Sequence, residues 1–189
     1  MSGAGAAEKV AAILARSGVD SALIGAAALA VHAYPRSTED IDLAVGVEPR
    51  RLEELARELR SEGLTVEVSH PDATDPLGGV LRIQAEGAER IEIVNFSNPP
   101  GGGFPALIEA ALRDARPYRP GASLRVVTLP HLVLFKLYAG GAKSRADVIE
   151  LLRRHPEQDL DELCASARRF RLDGRLRAWL GALGDADDD

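Results

Sequence analysis

The sequence has little cysteine and no long apolar run, and both absences limit what the protein is. Cys164 is the one cysteine among 189 residues, so no disulfide can form within the chain, and a reducing compartment is the simplest expectation. No window approaches the roughly 18 apolar residues of a membrane helix, and the N-terminus lacks the basic and apolar regions of a signal peptide. We therefore expect a cytoplasmic protein with no membrane partner.

Positive charge is also scarce. The 23 basic residues face 29 acidic ones, which gives a formal net charge of −6. This balance argues against sequence-independent nucleic-acid binding over the whole surface, although a local basic patch is compatible with it. Only three of the basic residues are lysines, Lys9, Lys136 and Lys143. Their rarity makes the two later lysines candidates for a specific role.

The apolar residues, 46% of the chain, alternate between helix and strand spacing, which predicts an α/β fold. The predicted helices cover about 6–16, 26–33, 49–63, 107–112, 128–139 and 143–154, with two more near the C-terminus, and the predicted strands cover 21–24, 38–47, 64–68, 80–85, 89–96 and 124–127. The composition becomes purely helical near Thr128. We predict a small mixed β-sheet with flanking helices over 1–127, a helical C-terminal subdomain over 128–184, and a disordered acidic tail over 185–189.

Two aspartates stand on the strand predicted over 38–47. Side chains at positions i and i+2 of a strand point to one face, so Asp40 and Asp42 share a face while Ile41 and Leu43 share the other. Paired carboxylates on a rigid element suit a hard divalent cation beside a phosphate. Taken alone, an Asp-x-Asp strand is more often a solvated strand face.

Two further features favour the metal interpretation. Gly25 and Ala26 form a small-residue turn into a helix, and exposed N–H groups at a helix start are suited to phosphate. Glu92 supplies a third carboxylate on a later strand, although it could also belong to a polar strand face with Arg90. A phosphate turn opposite two or three carboxylates indicates phosphoryl or nucleotidyl transfer.

These residues resemble a known family. The matching segments are Gly25-Ala26, Arg36-x-Thr38-x-Asp40-Ile41-Asp42-Leu43, Glu92 within Arg90-Ile91-Glu92-Ile93-Val94, and a helical stretch from Leu134 to Val148 that carries Lys136, Lys143 and Asp147. Together they are similar to the nucleotidyltransferase fold of the DNA polymerase beta superfamily, and most similar to the AbiEii/MenT-type toxin nucleotidyltransferases and related small bacterial proteins. The resemblance spans roughly residues 22–152.

The resemblance implies a magnesium-dependent enzyme that moves a nucleoside monophosphate from a nucleoside triphosphate, such as ATP, to a hydroxyl. It implies that Asp40, Asp42 and Glu92 are catalytic and ligate two Mg²⁺ ions. The implied nucleotide-binding residues are Gly25, Ala26, Arg36, Thr38, Lys136 and Lys143. The toxin resemblance implies RNA, such as tRNA, as the acceptor and an antitoxin protein as a partner, in a toxin–antitoxin setting. A protein or a small molecule as the acceptor stays open.

Two departures from the family pattern keep an alternative open. Ala26 stands where the family usually has serine or glycine, and Glu92 stands where it usually has aspartate. The alternative is a catalytically degenerate nucleotide-binding or interaction module with the same fold.

Overall fold

A computed structural model describes residues 3–38, 40–71, 77–84, 89–98 and 104–184. Within these ranges the helices are α1 (Gly3–Arg16), α2 (Gly25–Val31), α3 (Pro49–Ser61), α4 (Pro105–Asp114), α5 (Leu129–Ala139), α6 (Gly141–Arg154), α7 (Leu160–Arg169) and α8 (Asp173–Gly184), and the strands are β1 (Ala22–Leu23), β2 (Asp40–Val45), β3 (Thr65–Ser69), β4 (Val80–Gln84), β5 (Arg90–Asn95), β6 (Arg116–Pro117) and β7 (Arg125–Val126). Among these helices, none has both the length and the apolar character that crossing a bilayer demands.

The chain divides into two compact units. The first contains residues 1–28 and 36–128, and the second contains residues 29–35 and 129–189. The functional division into a catalytic core and a helical subdomain stays a prediction. The predicted acidic tail over 185–189 lies outside the described residues.

The first unit is built on a mixed sheet, which confirms the predicted α/β class. Across the described residues the strand order is β3-β4-β5-β2-β1-β7-β6. The central pair, β2 and β5, is parallel, and β1 pairs with β7 in the same sense. The other neighbours, β4 and β5 among them, are antiparallel. Strands β2 and β5 therefore lie in the interior of the sheet, hydrogen-bonded on both sides.

Alternation along β2 and β5 separates an apolar face from a polar one. The apolar face is buried and consists of Ile41, Leu43, Ile91 and Ile93. The alternating residues Asp40, Asp42 and Glu92 are partly exposed, and Arg90 is exposed. Helix α3 buries an apolar stripe of Leu52, Leu55, Ala56 and Leu59, and α4 contacts β2. The central strands are thus anchored on one side and display polar groups on the other.

One edge of the sheet differs from the sequence prediction. A two-residue strand, β6, pairs with β7, and β7 itself is shorter than the strand predicted over 124–127. Arg116 and Pro117 are both exposed, so they have no alternation of apolar and polar residues that would predict a strand. The pairing comes from the turn that follows them, where the Tyr118 N–H donates to the Leu124 carbonyl at 2.8 Å.

The second unit combines α5 to α8 with residues 29–35. Its core is apolar, and the side chains of Leu132, Leu137, Val148 and Leu151 are fully buried in it. The two residues that follow α2, His32 and Ala33, contact α6 and its C-terminal neighbour through their carbonyl groups. Arg154 Nη1 donates to the Ala33 carbonyl at 2.8 Å, and His155 Nε2 lies 2.9 Å from the His32 carbonyl. Ala33 has a φ of 59°, the left-handed conformation that commonly ends a helix and leaves carbonyls to be satisfied.

These contacts perturb one titratable group. His155 also lies 2.9 Å from Glu157 Oε1 through its Nδ1 atom. The His32 carbonyl, together with the Glu157 carboxylate, raises the pKa of His155 above its ordinary value, despite partial burial that acts in the opposite direction. The protonated imidazole, with two N–H donors, is the form that this surrounding favours.

Candidate active site

The parallel register of β2 and β5 brings the predicted carboxylates together. Asp42 is the direct partner of Glu92, and Asp40 is the partner of Arg90. Neighbouring strands lie about 4.8 Å apart, and directly paired residues point to the same face. Asp40, Asp42 and Glu92 therefore occupy one continuous patch on the polar face of the sheet. The predicted shared face of the two aspartates is confirmed.

Two arginines engage this patch, and neither was among the predicted site residues. Arg90 donates from Nε to Asp40 Oδ1 at 2.7 Å and from Nη2 to Asp40 Oδ2 at 2.9 Å. Arg82, the β4 partner of Glu92, donates from Nε to Glu92 Oε1 at 3.1 Å. Arg90 Nε also lies 3.6 Å from Glu92 Oε1. Asp40 and Glu92 are thus charge-compensated by guanidinium groups.

Sequence reasoning placed Arg90 on the same face as Glu92 but did not connect it with Asp40. The signal that identifies this contact is the register between β2 and β5, which are 50 residues apart along the chain. Local periodicity assigns a side chain to a face but carries no information about which residue of a distant strand lies opposite.

Gly25 lies against Asp42. The backbone N–H of Ile24 donates to the Asp42 carbonyl at 2.9 Å, and Gly25 follows with a φ of 64°. A Cβ placed at Gly25 would lie 2.9 Å from Asp42 Cγ and closer still to one of the carboxylate oxygens. The missing side chain is therefore what gives the Asp42 carboxylate its space. Ala26, the next residue of α2, is buried.

Thr38 fixes the entry into β2. Its hydroxyl donates to the backbone carbonyl of Asp40 at 2.7 Å and accepts from the Asp40 N–H at 3.3 Å. This local turn orients the backbone at Asp40 before the strand begins. Arg36, two residues earlier, is half-buried. The structure thus places Gly25, Ala26, Arg36, Thr38 and the three carboxylates in the first unit.

The two predicted lysines belong to the second unit. Lys136 Nζ lies 2.7 Å from Asp147 Oδ2, and these side chains are only 13% and 2% exposed. Lys143 is exposed in the first turn of α6. Asp147, from the same matching stretch as the two lysines, thus contacts one of them. A nucleotide-binding role for Lys136 and Lys143 stays a prediction.

The chemical type of the available ligands, carboxylate oxygens, fits a hard divalent cation. Three carboxylates offer the oxygen ligands that Mg²⁺ prefers, and the space at Gly25 leaves room beside Asp42. In the ranges that the structure describes, no three His, Cys, Asp or Glu side chains converge to hold one ion together. Arg90 and Arg82 are instead the groups that contact Asp40 and Glu92. Binding of an ion by all three carboxylates would require these contacts to open.

Comparisons with known proteins identify the fold. No family model matches the chain, and a search of curated proteins finds no match. Among solved structures, the solution structure of the antibiotic-resistance factor ANT(2'')-Ia matches 95% of this chain and 94% of its own, at 16% identity and a TM-score of 0.50. An antigenic nucleotidyltransferase-like protein from Paracoccidioides brasiliensis matches 94% of this chain and 91% of its own, at 18% identity and a TM-score of 0.54.

A second structure of ANT(2'')-Ia, in complex with adenylyl-2''-tobramycin, matches 86% of this chain and 93% of its own, at 15% identity and a TM-score of 0.53. Similarity at this level of identity identifies a fold. The chain has the nucleotidyltransferase fold.

Proposed function

We propose that the protein is a magnesium-dependent nucleotidyltransferase that moves a nucleoside monophosphate from a nucleoside triphosphate to a hydroxyl acceptor. The observation that carries the proposal is the carboxylate patch: Asp42 and Glu92 are direct partners on the two central parallel strands, with Asp40 on the same face. The nucleotidyltransferase fold supports it.

Each residue has a role in this proposal. Asp40, Asp42 and Glu92 would hold Mg²⁺, which supplies charge neutralisation for the phosphates and activation of the attacking hydroxyl. Glu92 would also accept the hydroxyl proton. Thr38 would orient Asp40 through its two backbone hydrogen bonds.

The triphosphate would be bound by five further groups. Gly25 and Ala26 would offer backbone N–H groups, and the space beside Gly25 supports close approach. Arg36, Lys136 and Lys143 would neutralise phosphate charge. For Lys136, this role would have to coexist with its contact to Asp147.

The acceptor is proposed in two forms. The Arg-x-Thr-x-Asp-Ile-Asp motif, from Arg36 to Asp42, supports tRNA modification by a cytoplasmic toxin of the AbiEii/MenT type, with an antitoxin as partner. A small-molecule hydroxyl is supported by ANT(2'')-Ia, which has the same fold and is known as an antibiotic-resistance factor crystallised with an adenylylated tobramycin.

A second candidate function is a catalytically silent module that binds nucleotide or a partner protein. The contacts of Arg90 with Asp40 and of Arg82 with Glu92 favour it, because a guanidinium can replace the charge of a metal but supplies no activated hydroxyl. Ala26 and Glu92, the two departures from the family pattern, favour it as well.

Label transfer distinguishes the two candidates. The full chain is incubated with Mg²⁺ and each α-labelled triphosphate, with bulk tRNA or a panel of aminoglycosides as acceptor. We expect Asp42→Asn to lower transfer by at least about 100-fold, because metal ligands supply several kcal/mol of transition-state stabilisation. Asp20→Asn, the same change at an exposed carboxylate of the same unit, is the matched control.

Each outcome of this assay has a meaning. Transfer that depends on Asp42 and not on Asp20 supports the enzyme, and the labelled acceptor identifies its class. Magnesium-dependent triphosphate binding without transfer supports the silent module. Absence of both transfer and binding contradicts the proposal.

The toxin setting has its own test. Strong expression without a partner protein is expected to arrest bacterial growth, and Asp40→Asn is expected to relieve the arrest. Normal growth at a verified level of soluble protein would contradict the toxin setting and leave the transfer reaction to be judged by the label.

A further inference from the structure

Asp40 and Glu92, two of the carboxylates that would hold Mg²⁺, contact arginines instead, and the Arg90–Asp40 pair has a specific geometry. Arg90 uses two donors, Nε and Nη2, on both oxygens of Asp40, at 2.7 and 2.9 Å. A bidentate guanidinium–carboxylate pair is the strongest form of this contact and is geometrically selective. We propose that Arg90 and the divalent cation compete for Asp40, so that Arg90 sets the metal affinity of the site. This inference rests on the proposed function.

Competition follows from the space around the carboxylate. A Mg²⁺ ligand oxygen lies about 2.0–2.1 Å from the ion, and the ion carries two charges of the same sign as the guanidinium. Both oxygens of Asp40 already accept an N–H from Arg90. A cation that approaches Asp40 from the side of Arg90 must displace these hydrogen bonds. A cation on the second lone pair of either oxygen lies close to the guanidinium, and like-charge repulsion disfavours joint occupancy.

Displacement of Arg90 leaves no charge stranded in the interior. The Arg90 side chain is 44% exposed and the Asp40 side chain 28%, and Arg90 is the first residue of β5. The guanidinium can turn into solvent without breaking strand pairing. Arg82 contacts Glu92 and Ser69 Oγ and does not touch Asp40 through the bonds described above. Arg90, whose two donors occupy both oxygens of Asp40, is the arginine expected to exchange with a cation there.

Metal binding in the absence of nucleotide tests the proposal directly. The full chain is titrated with Mn²⁺, and the free ion is followed by its electron paramagnetic resonance signal. Arg90→Gln is expected to lower the Kd by about threefold to tenfold, the range for removing a competing, partly exposed bidentate pair. Asp40→Asn is expected to weaken binding.

Arg16→Gln is the matched control for charge. Arg16 forms a comparable exposed pair with Glu62, at 2.7 Å, in the same unit, and the substitution changes the net charge by the same amount. At physiological salt a distant charge is screened, so the Kd of this variant is expected to stay within about twofold of wild type. Equal tightening in Arg16→Gln and Arg90→Gln would show a general charge effect and overturn the competition.

Nuclear magnetic resonance gives a second readout that involves no change of charge. The side-chain Nε–H signal of wild-type Arg90, assigned by its absence in Arg90→Gln, is followed during titration with Mg²⁺. It is expected to shift and lose its protection from hydrogen exchange with the midpoint of metal binding. A signal that stays unchanged at saturating Mg²⁺ would overturn the inference.

The failure of this inference and that of the proposed function are distinguishable. If wild type and Arg90→Gln bind metal equally while Asp40→Asn binds weakly, the competition is wrong and the metal site stands. If neither wild type nor Arg90→Gln binds metal, both the inference and the magnesium-dependent function are wrong.

Discussion

Two carboxylate–cation pairs, one in each unit, show how burial determines whether an ion pair can exchange its partner. Lys136 and Asp147 are 13% and 2% exposed, whereas Arg90 and Asp40 are 44% and 28% exposed. A buried pair cannot open without leaving an uncompensated charge, but an exposed pair can exchange its partner for water or an ion. The first is suited to holding helices α5 and α6 together, and the second is suited to a site whose contents change.

The largest effect is expected when the buried pair is broken. Lys136→Met leaves the Asp147 carboxylate buried without its lysine and is expected to lower the free energy of unfolding by about 3–5 kcal/mol. Asp40→Asn, which opens the exposed pair, is expected to cost less than about 1 kcal/mol. Urea unfolding of the two variants measures both values.

A double variant sharpens this result. Lys136→Met combined with Asp147→Leu removes both charges and is expected to recover most of the lost stability. If Lys136→Met costs no more than Asp40→Asn, burial is not what separates the two pairs.

A smaller effect is expected at the glycine that borders the exposed cluster. Gly25→Ala adds a methyl group against Asp42 at a positive φ and is expected to cost about 2–3 kcal/mol, from backbone strain and crowding together. Gly18→Ala is the control, because Gly18 also has a positive φ, 71°, but has no atom within 4 Å of the added Cβ. It is expected to cost only the backbone part, about 1 kcal/mol.

The same two variants connect stability to the site. Gly25→Ala is expected to displace the Asp42 carboxylate and lower label transfer, while Gly18→Ala is expected to leave transfer unchanged. Equal unfolding midpoints for both variants would contradict the close contact between Gly25 and Asp42.

The smallest effect concerns a partly exposed ion pair in the second unit. The pKa of His155 is raised by the His32 carbonyl and by Glu157, so its stabilising contribution is complete below the ordinary histidine pKa of about 6.5 and is lost as the pH rises through the raised value. His155→Gln is therefore expected to lower Tm by about 1–2 °C at pH 6 and by less at pH 9.

His70→Gln is the control for this measurement, since it removes an exposed contact with Glu53 at 3.0 Å in the first unit. If the deficit of His155→Gln is the same at both pH values, the protonated imidazole does not account for the contact. If His155→Gln lowers the free energy of unfolding nearly as much as Lys136→Met does, then location in the second unit, and not burial, determines how much a pair stabilises the protein.

The sequence predicted what depends on local spacing. The period of two along β2 assigned Asp40 and Asp42 to one face, and the structure confirms it. The partner of a carboxylate is a different kind of question. The Arg90–Asp40 contact depends on the register of two strands 50 residues apart, and the Lys136–Asp147 contact depends on how α5 packs against α6. Neither arrangement has a local signature, so the sequence did not identify Asp147 as the residue that Lys136 contacts.

The capping of the α2 segment by Arg154 and His155 has a consequence for synthesis. The Ala33 carbonyl and its Arg154 donor are separated by 121 residues, and the His32 carbonyl and its His155 partner by 123. At about 5–20 residues per second, the ribosome adds these partners roughly 6–25 s after residues 32 and 33. During that interval the His32 and Ala33 carbonyl groups lack these two donors. A prematurely terminated chain that ends before Arg154 therefore presents residues 29–35 uncapped, as a target for proteases and chaperones.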